Sequence, residues 1–418
     1  MFEVTNQDDV RRTSLSRLHP YPAMVADPLA LNLAGRFVST GDTVLDPFCG
    51  SGRLLAAAEK AALRVGIDTN PLACLLTQAK LVPARREVLR SVLAGLPSAK
   101  FVKPRRCLTA AVNGNVDWFS PAVLTDLEKA VTWLNEIRLD ENELLVVAAA
   151  LSATVRDVSF ARQSGWKLHR IGSDERSKFS TSVWERLERR LRYCERELPV
   201  SVGEGTAHVV RQGDARTLSQ TLRGEVGVDQ FDVVLTSPPY GDSRTTVQYG
   251  AASALCLSVI SRLKGLEHLW MKGSAIDGAC LGSKLERDRC DADEESFRPY
   301  WAGSPRNPAF PRTAAFLRDY REVCRGIASA LRAGGNAIFV VGRRSTGGFR
   351  LKLDMFTVNE LASSGLRLVE RDERALSQKR FPRIINRFGR SIDEVDRNRG
   401  QITTMRSEVV LVFQKSAN

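Results

Sequence analysis

Four consecutive residues, Ser237-Pro238-Pro239-Tyr240, close an apolar run in the stretch FDVVLTSPPYGDS, residues 231–243. Neither proline offers a backbone N–H, so the pair cannot continue a sheet ladder and ends a strand rigidly. The Ser237 hydroxyl and the Pro238 carbonyl are then two acceptors aimed at one fixed point. Such a pair suits an exocyclic amine on a nucleobase, a poor nucleophile because its lone pair is delocalised into the ring. Acceptors placed on its two hydrogens draw the nitrogen towards tetrahedral geometry and localise that lone pair. The Tyr240 ring offers a face on which a base pulled out of its helix can stack. In-line attack on an electrophilic methyl follows, and holding the two reactants in line supplies most of the catalysis.

A methyl donor needs its own site, and the stretch TVLDPFCGSG, Thr43 to Gly52, has the form of one. Gly50 and Gly52 sit where a turn lets a ligand approach the backbone closely. A dinucleotide fingerprint would put a third glycine at position 55, which is Leu55, and a P-loop would carry Gly-Lys-Ser/Thr, which is absent. The turn therefore fits a nucleoside ligand without a phosphate. Asp68 ends the next strand 22 residues after Asp46, near the spacing at which an acidic residue meets ribose hydroxyls. Asp214, in GDAR, ends a later strand and suits an adenine amino group. Asp46 suits an ammonium. Amine, ribose and adenine together describe S-adenosylmethionine.

The elements that must hold these groups are legible around them. Asp27 and Pro28 read as N-cap and first residue of a helix. A strand at Thr43 to Leu45 precedes the glycine turn, a helix is expected over Arg53 to Leu63, and RVGID ends a strand at Asp68. A helix then begins at Pro71. Strand, glycine turn, helix, strand and acidic residue open a doubly wound α/β sheet. Between about Val82 and Val202 the pattern is helical. There VWERLERRLRYCERELP places Trp184, Leu187, Leu191, Cys194 and Leu198 on one helical face. Strands resume in AHVVRQGDAR and FDVVLTSPPY, and a polar, helical stretch runs from Gly241 to about Arg332. The sheet finishes with the strand GNAIFVVG, the helix TVNELASSG and the strands LRLVE and EVVLVFQK, for seven strands with the last two paired as a hairpin.

Composition bounds the partners. The formal net charge is +13, from 61 Lys and Arg against 48 Asp and Glu, which points to a polyanion. The most apolar long segment, Leu144 to Val155, has 12 residues and reads as a buried helix rather than a membrane span. MFEVTNQDDVRR has no apolar signal region. The eight cysteines and four histidines are scattered without a metal-binding spacing. A cytoplasmic protein with reduced thiols, no metal and no membrane partner is expected.

Three motifs together resemble the S-adenosylmethionine-dependent amino-group DNA methyltransferases. DPFCGSG matches the cofactor motif, TSPPY the catalytic motif, and HPYP, His19 to Pro22, the motif before the first strand. The resemblance implies a Rossmann-like class I methyltransferase fold, an α/β architecture with a seven-stranded, mostly parallel sheet and a largely helical insertion. It implies S-adenosylmethionine as cofactor, held by His19, Tyr21, Pro22, Asp46, Phe48, Gly50, Gly52, Asp68, Asn70 and Asp214. Ser237, Pro238, Pro239 and Tyr240 become the catalytic residues, and HPYP borders the methionine part of the cofactor. Serine at the first catalytic position is typical of N4-cytosine enzymes in this family, which favours cytosine N4. Adenine N6 is the alternative, with an RNA base methyltransferase, a protein-glutamine methyltransferase and an inactive nucleic-acid-binding protein behind it. Cytosine C5 chemistry requires a cysteine that follows proline, and no Pro-Cys dipeptide occurs. The order, cofactor motif before catalytic motif, is the reverse of many N4-cytosine enzymes.

Residues 1–82 and 203–418 are expected to form the catalytic domain. Residues 83–202 are its helical insertion and candidate target-recognition region, and 243–330 a second helical and loop elaboration. Double-stranded DNA is the expected partner, with a cognate restriction endonuclease or defence-system protein beside it; no oligomeric state is legible. The cations expected on DNA are Arg162, Lys167 and Arg170 in the insertion, Arg244 after the catalytic motif, and Arg380, Arg383 and Arg387 in the arginine-rich connection before the last strand.

Overall fold

The computed structural model describes residues 13, 15–104, 116–162, 168–198, 206–241, 248–284, 295–301, 310–342, 344–346, 349–375, 384–385, 402–403 and 407–417. Helix α1 spans Asp27–Phe37, strand β1 Thr43–Asp46, α2 Arg53–Ala57, β2 Leu63–Asp68 and α3 Pro71–Leu81. The insertion contributes α4 (Arg86–Ala99), α5 (Pro121–Leu134), α6 (Glu141–Val158) and α7 (Val183–Glu197). Next come β3 (Ala207–Gln212), β4 (Phe231–Thr236), α8 (Gly250–Ile260), α9 (Gly273–Ala279) and α10 (Phe310–Ala330). The chain ends with β5 (Leu331–Gly342), α11 (Leu353–Ser363), β6 (Leu366–Ala375) and β7 (Ser407–Lys415).

The sheet has seven strands in the order β3-β2-β1-β4-β5-β7-β6. The first five are parallel, and β7 runs antiparallel to both β5 and β6. This is a doubly wound, Rossmann-like α/β sheet, mostly parallel, with seven strands as expected. Side chains alternate across it with period two. Leu45, Val234, Phe339, Leu411 and Phe413 pack under α10 and α11, whereas Val44, Val233, Ile338, Val340 and Val412 pack under α1 and α2. Apolar residues on both faces explain why these strands read as continuous hydrophobic runs.

The helical insertion shares its core with the sheet's own helices. Leu72, Leu75 and Leu76 of α3, Val146 to Leu151 of α6, Leu187 and Leu191 of α7, and Leu255 to Ile260 of α8 form one apolar cluster. The predicted face of α7 is buried throughout, with Trp184, Leu187, Leu191, Cys194 and Leu198 each 6% exposed or less. Burying each such leucine contributes roughly 1.5–3 kcal/mol.

Several boundaries differ from the sequence reading. The helix expected from Arg53 to Leu63 stops at Ala57, because Leu63 pairs with Thr43 and the chain has already turned back into β2. Asp27 is the first residue of α1, with Ala26 at the cap; its carboxylate instead accepts from Thr13 Oγ1 at 2.6 Å. The stretch after the catalytic motif is not uniformly polar, since nine residues of α8 are buried. Finally, β6 continues to Ala375, so Arg371 to Ala375 belong to a strand rather than to the connection. Their charges hid a ladder in which Ala375 pairs with Ser407. Among the described residues, no helix is long and apolar enough to cross a membrane.

Candidate active site

Strand order reverses between β1 and β4, since β2 and β3 continue on one side of β1 and β4 and β5 on the other. In an open α/β sheet, the crevice beyond the carboxyl ends of such strands is where ligands bind. The glycine turn leaves β1 there, and Ser237 leaves β4. Their strand ends are joined by side chains: Thr236 Oγ1 donates to Asp46 Oδ1 at 2.7 Å, and the Phe48 N–H donates to the same oxygen at 3.1 Å. Asp46 is 2% exposed. Burial pushes its carboxyl up to about 7, against the opposing pull of these two hydrogen bonds.

The two glycines do different work. Gly52 has φ +75°, and a Cβ on it would stand 2.8 Å from Thr77 Cα, so it lets the turn pack on α3. Gly50 has φ +51°, yet a Cβ there would meet only Tyr21 Cε1 at 3.7 Å and Phe48 O at 3.8 Å. Thr77 Oγ1 donates to the Gly50 carbonyl at 3.1 Å, and Lys80 Nζ donates to the Ser51 carbonyl. Burial pushes the Lys80 ammonium down to about 7.

Asp68 fastens this turn to the end of β2. Its Oδ2 accepts from the Gly50 N–H and its Oδ1 from the Asn70 N–H, both at 2.9 Å. Burial pushes Asp68 up to about 6. Asn70 caps α3 by accepting from the Leu72 N–H at 3.1 Å, and its Nδ2 donates to Tyr21 Oη at 3.2 Å and Ser253 Oγ at 2.9 Å. Tyr21 in turn stacks on Tyr249, with ring centroids 5.7 Å apart. The motif before α1, the end of β2 and the start of α8 thus meet around Tyr21.

His19 and Pro22 line a small cavity beside Tyr21, with Leu72, Arg156, Tyr249 and Ser253. The His19 ring is turned towards the insertion, its Nε2 lying 3.1 Å from Ser152 Oγ. Burial, reinforced by Arg190, Arg156 and Lys80, pushes the imidazole down to about 3, so it is neutral at physiological pH. Arg190 of α7 holds this segment by donating to the Leu18 carbonyl at 3.0 Å while pairing with Asp157 at 2.7 Å.

Asp214 lies at the end of β3 and is gripped by Arg216. The Arg216 backbone N–H donates to Oδ1 at 2.9 Å, Nε lies 3.0 Å from Oδ1 and 2.9 Å from Oδ2, and Nη2 donates to Oδ2 at 2.6 Å. The same guanidinium reaches Asp319 of α10 at 2.9 Å and the Ala279 carbonyl at 3.3 Å.

At the Ser-Pro-Pro-Tyr turn, Ser237 Oγ donates to the Val340 carbonyl at 3.1 Å and lies 3.1 Å from Tyr240 Oη. The serine proton is spent on the carbonyl, so the tyrosine hydroxyl is the donor of the second bond. Burial, and then Glu408, push the Tyr240 phenol well above its ordinary value. Pro238 is buried; Pro239 and Tyr240 are half-buried.

The proposed DNA cations divide. Arg162 is exposed on a short antiparallel pairing, its N–H donating to the His169 carbonyl at 2.7 Å. Arg170 lies over the Trp118 ring at 5.4 Å and 3.6 Å from the Asp117 carboxylate. Lys167, Arg244, Arg380, Arg383 and Arg387 lie outside the described residues. Sequence reasoning missed Thr236, Arg216 and Tyr249. The first two stand beside quoted motif residues, and that adjacency was the available signal.

No protein-family model matches the chain. It is 28% identical over 293 residues to the Type II methyltransferase M.MvaI of Kocuria varians, covering 65% of this chain and 62% of that protein. Over 93 residues it is 31% identical to the Type II methyltransferase M.MjaII of Methanocaldococcus jannaschii, covering 22% of this chain and 17% of that one. The chain thus spans less than two thirds of the length of either relative. Among solved structures it aligns with the rRNA methyltransferase aviRa of Streptomyces viridochromogenes at 14% identity and a TM-score of 0.34, covering 96% and 94% of the two chains.

Proposed function

We propose that this protein is a DNA methyltransferase that moves a methyl group from S-adenosylmethionine to the exocyclic N4 amine of a flipped cytosine. The observation that carries the reading is the state of the Ser237 hydroxyl. Its proton is committed to the Val340 carbonyl and one lone pair to the Tyr240 hydroxyl, so the remaining lone pair is an acceptor beside the Pro238 carbonyl. Those acceptors stand at the strand end joined through Thr236 and Asp46 to the glycine turn. Similarity to two Type II methyltransferases supports the same reading.

The residues present fit the cofactor, because the turn at Gly50 carries no side chain and is bracketed by the carboxylates of Asp46 and Asp68, which accept from the Phe48 and Gly50 N–H groups. Asp46 would take the ammonium, Asp68 the ribose hydroxyls and Asp214 the adenine amine, with Phe48, Tyr21 and Pro22 as apolar wall. When bound, S-adenosylmethionine supplies an electrophilic methyl on a sulfonium. Ser237 and Pro238 then accept the two amine hydrogens and localise the nitrogen lone pair. Pro239 stiffens the turn, and the Tyr240 ring, fixed by its bond to Ser237, supports the base. Serine does this without placing a charge beside the substrate. Arg162 and Arg170, with Lys167, Arg244, Arg380, Arg383 and Arg387, are proposed to meet phosphates of double-stranded DNA.

Nucleoside mass spectrometry of DNA incubated with protein and S-adenosylmethionine tests this. N4-methylcytosine that disappears with Ser237→Ala is the expected result. N6-methyladenine would move the assignment to adenine, and methylation of RNA without DNA would overturn it.

A further inference from the structure

A second polar pair stands at the same edge of the sheet as Ser237. β5 lies between β4 and β7, and its Val340 carbonyl takes the Ser237 proton. Two residues on, Gly342 pairs with Glu408 at the start of β7, and Glu408 faces Arg374 near the end of β6. Arg374 Nε and Glu408 Oε2 are 4.0 Å apart, with the side chains 14% and 10% exposed. Arg374 Nη1 is buried and has no hydrogen-bond partner among the described residues. A buried donor left unsatisfied is costly, and a guanidinium offers a rigid, planar fork of donors. Both residues act electrostatically on Tyr240, Glu408 raising its phenol and Arg374 opposing, after burial as the main cause.

The span suits a base. β6 is three strands from β4, about 14 Å at ~4.8 Å per strand, a gap of the size that an extended arginine side chain and a pyrimidine ring fill together. A base whose amine rests on Ser237 must direct the rest of its pairing edge along the sheet. On cytosine that edge carries two adjacent acceptors, N3 and O2. On adenine it carries N1 followed by a C–H. A guanidinium fork matches the first pattern with two bonds and the second with one.

We propose that Arg374, held by Glu408, reads the flipped base by donating to N3 and O2 of cytosine. The inference rests on the DNA methyltransferase reading and deepens it, by naming a residue that selects cytosine over adenine.

The test uses a duplex carrying the methylation site mapped on plasmid DNA. The target is either cytosine or 3-deazacytosine, which keeps the amine and O2 but has C–H in place of N3. Wild type, Arg374→Gln and Arg374→Lys are compared by kcat/KM, with S-adenosylhomocysteine binding as the check that each is folded. Wild type should lose about 10- to 100-fold on the analogue. Arg374→Gln should lose a similar factor on cytosine and little more on the analogue, so its native-to-analogue ratio falls towards one. An unchanged ratio in Arg374→Gln overturns the proposal, as does a wild type indifferent to the analogue or a product that is N6-methyladenine. If Arg374→Gln does not bind S-adenosylhomocysteine, Arg374→Lys carries the same comparison. A wild type that methylates no base in DNA overturns the underlying reading, and this proposal with it.

Discussion

Asp46 Oδ1 accepts a 2.7 Å hydrogen bond from Thr236 Oγ1, so the residue that ends β1 is tied to the one that ends β4. The bond spans the point where strand order reverses, and it fixes the glycine turn relative to Ser237. A buried carboxylate deprived of one donor bears its desolvation with fewer partners. Thr236→Val, similar in shape, should therefore destabilise the protein by about 1–3 kcal/mol. Urea unfolding measures this, and a change below a few tenths of a kcal/mol would remove the bond from the account.

Asp46 also sets a pH dependence. Burial raises its carboxyl from 3.8 to about 7, so between those values the folded protein holds a proton that the unfolded chain has lost. Stability from this residue is therefore greatest below pH 4 and declines as pH rises towards 7. Relative to Asp46→Asn, the wild type should lose up to about 1.4 kcal/mol per pH unit across that window. Cofactor affinity should run the opposite way, since an ammonium requires the ionised carboxylate. Calorimetric titration with S-adenosylmethionine should show tighter binding as pH rises through 7, with the trend flattened in Asp46→Asn. Binding that weakens over that range would rule out Asp46 as the ammonium partner.

Gly50 and Gly52 separate folding from binding. Gly52→Ala must hold φ +75° and place a methyl 2.8 Å from Thr77 Cα, which should cost more than about 2 kcal/mol. Gly50→Ala faces only the left-handed backbone penalty of about 1–2 kcal/mol, yet its methyl would stand beside Tyr21 Cε1 and the Phe48 carbonyl, on the side proposed for the cofactor. The expected pattern is a folded Gly50→Ala with S-adenosylhomocysteine affinity lost, beside a Gly52→Ala that unfolds early. Equal effects of the two on both measurements would contradict the division.

The seven strands and their doubly wound sheet were legible because buried parallel strands are apolar on both faces and punctuated by glycine and proline. FDVVLTSPPY could scarcely be read otherwise. β6 was half hidden, since ERDERA carries charge at nearly every position and shows no alternation. Only the register Ala375 to Ser407, set by β7, reveals it as strand, and with it Arg374. The contacts that meet around Tyr21 were hidden for another reason. Asn70 and Ser253 are 183 residues apart, and no local pattern announces a hydrogen bond between them. The α2 boundary was misplaced because an alanine-rich run favours helix, whereas the pairing of Leu63 with Thr43 demands strand.

The insertion is open to a measurement on DNA. Arg162 is exposed, and its carbonyl accepts from Arg156, which lines the cavity beside His19. Each phosphate contact contributes about 0.9 to the slope of log K against log salt. The Arg162→Ala, Arg170→Ala double variant should flatten that slope by up to about 2 and weaken binding evenly across sequences. Fluorescence anisotropy at several salt concentrations reads it, and an unchanged slope would take both arginines out of the footprint.

Arg216 offers the sharpest check on Asp214 as the proposed partner of adenine. A carboxylate has about four acceptor positions. The Arg216 backbone N–H, Nε and Nη2 occupy three on Asp214, with both Nη2 and Nε reaching Oδ2. Nε is shared between the two oxygens, so the guanidinium fixes the direction from which an adenine N–H would approach the carboxylate. Arg216→Gln frees the carboxylate to rotate and releases Asp319 and the Ala279 carbonyl as well. S-adenosylhomocysteine should bind the variant about tenfold more weakly, the worth of one oriented hydrogen bond. An analogue lacking the 6-amino group should bind wild type and variant alike, because it has no N–H for Asp214 to accept. If both ligands weaken by the same factor, Arg216 braces the loop without orienting the acceptor.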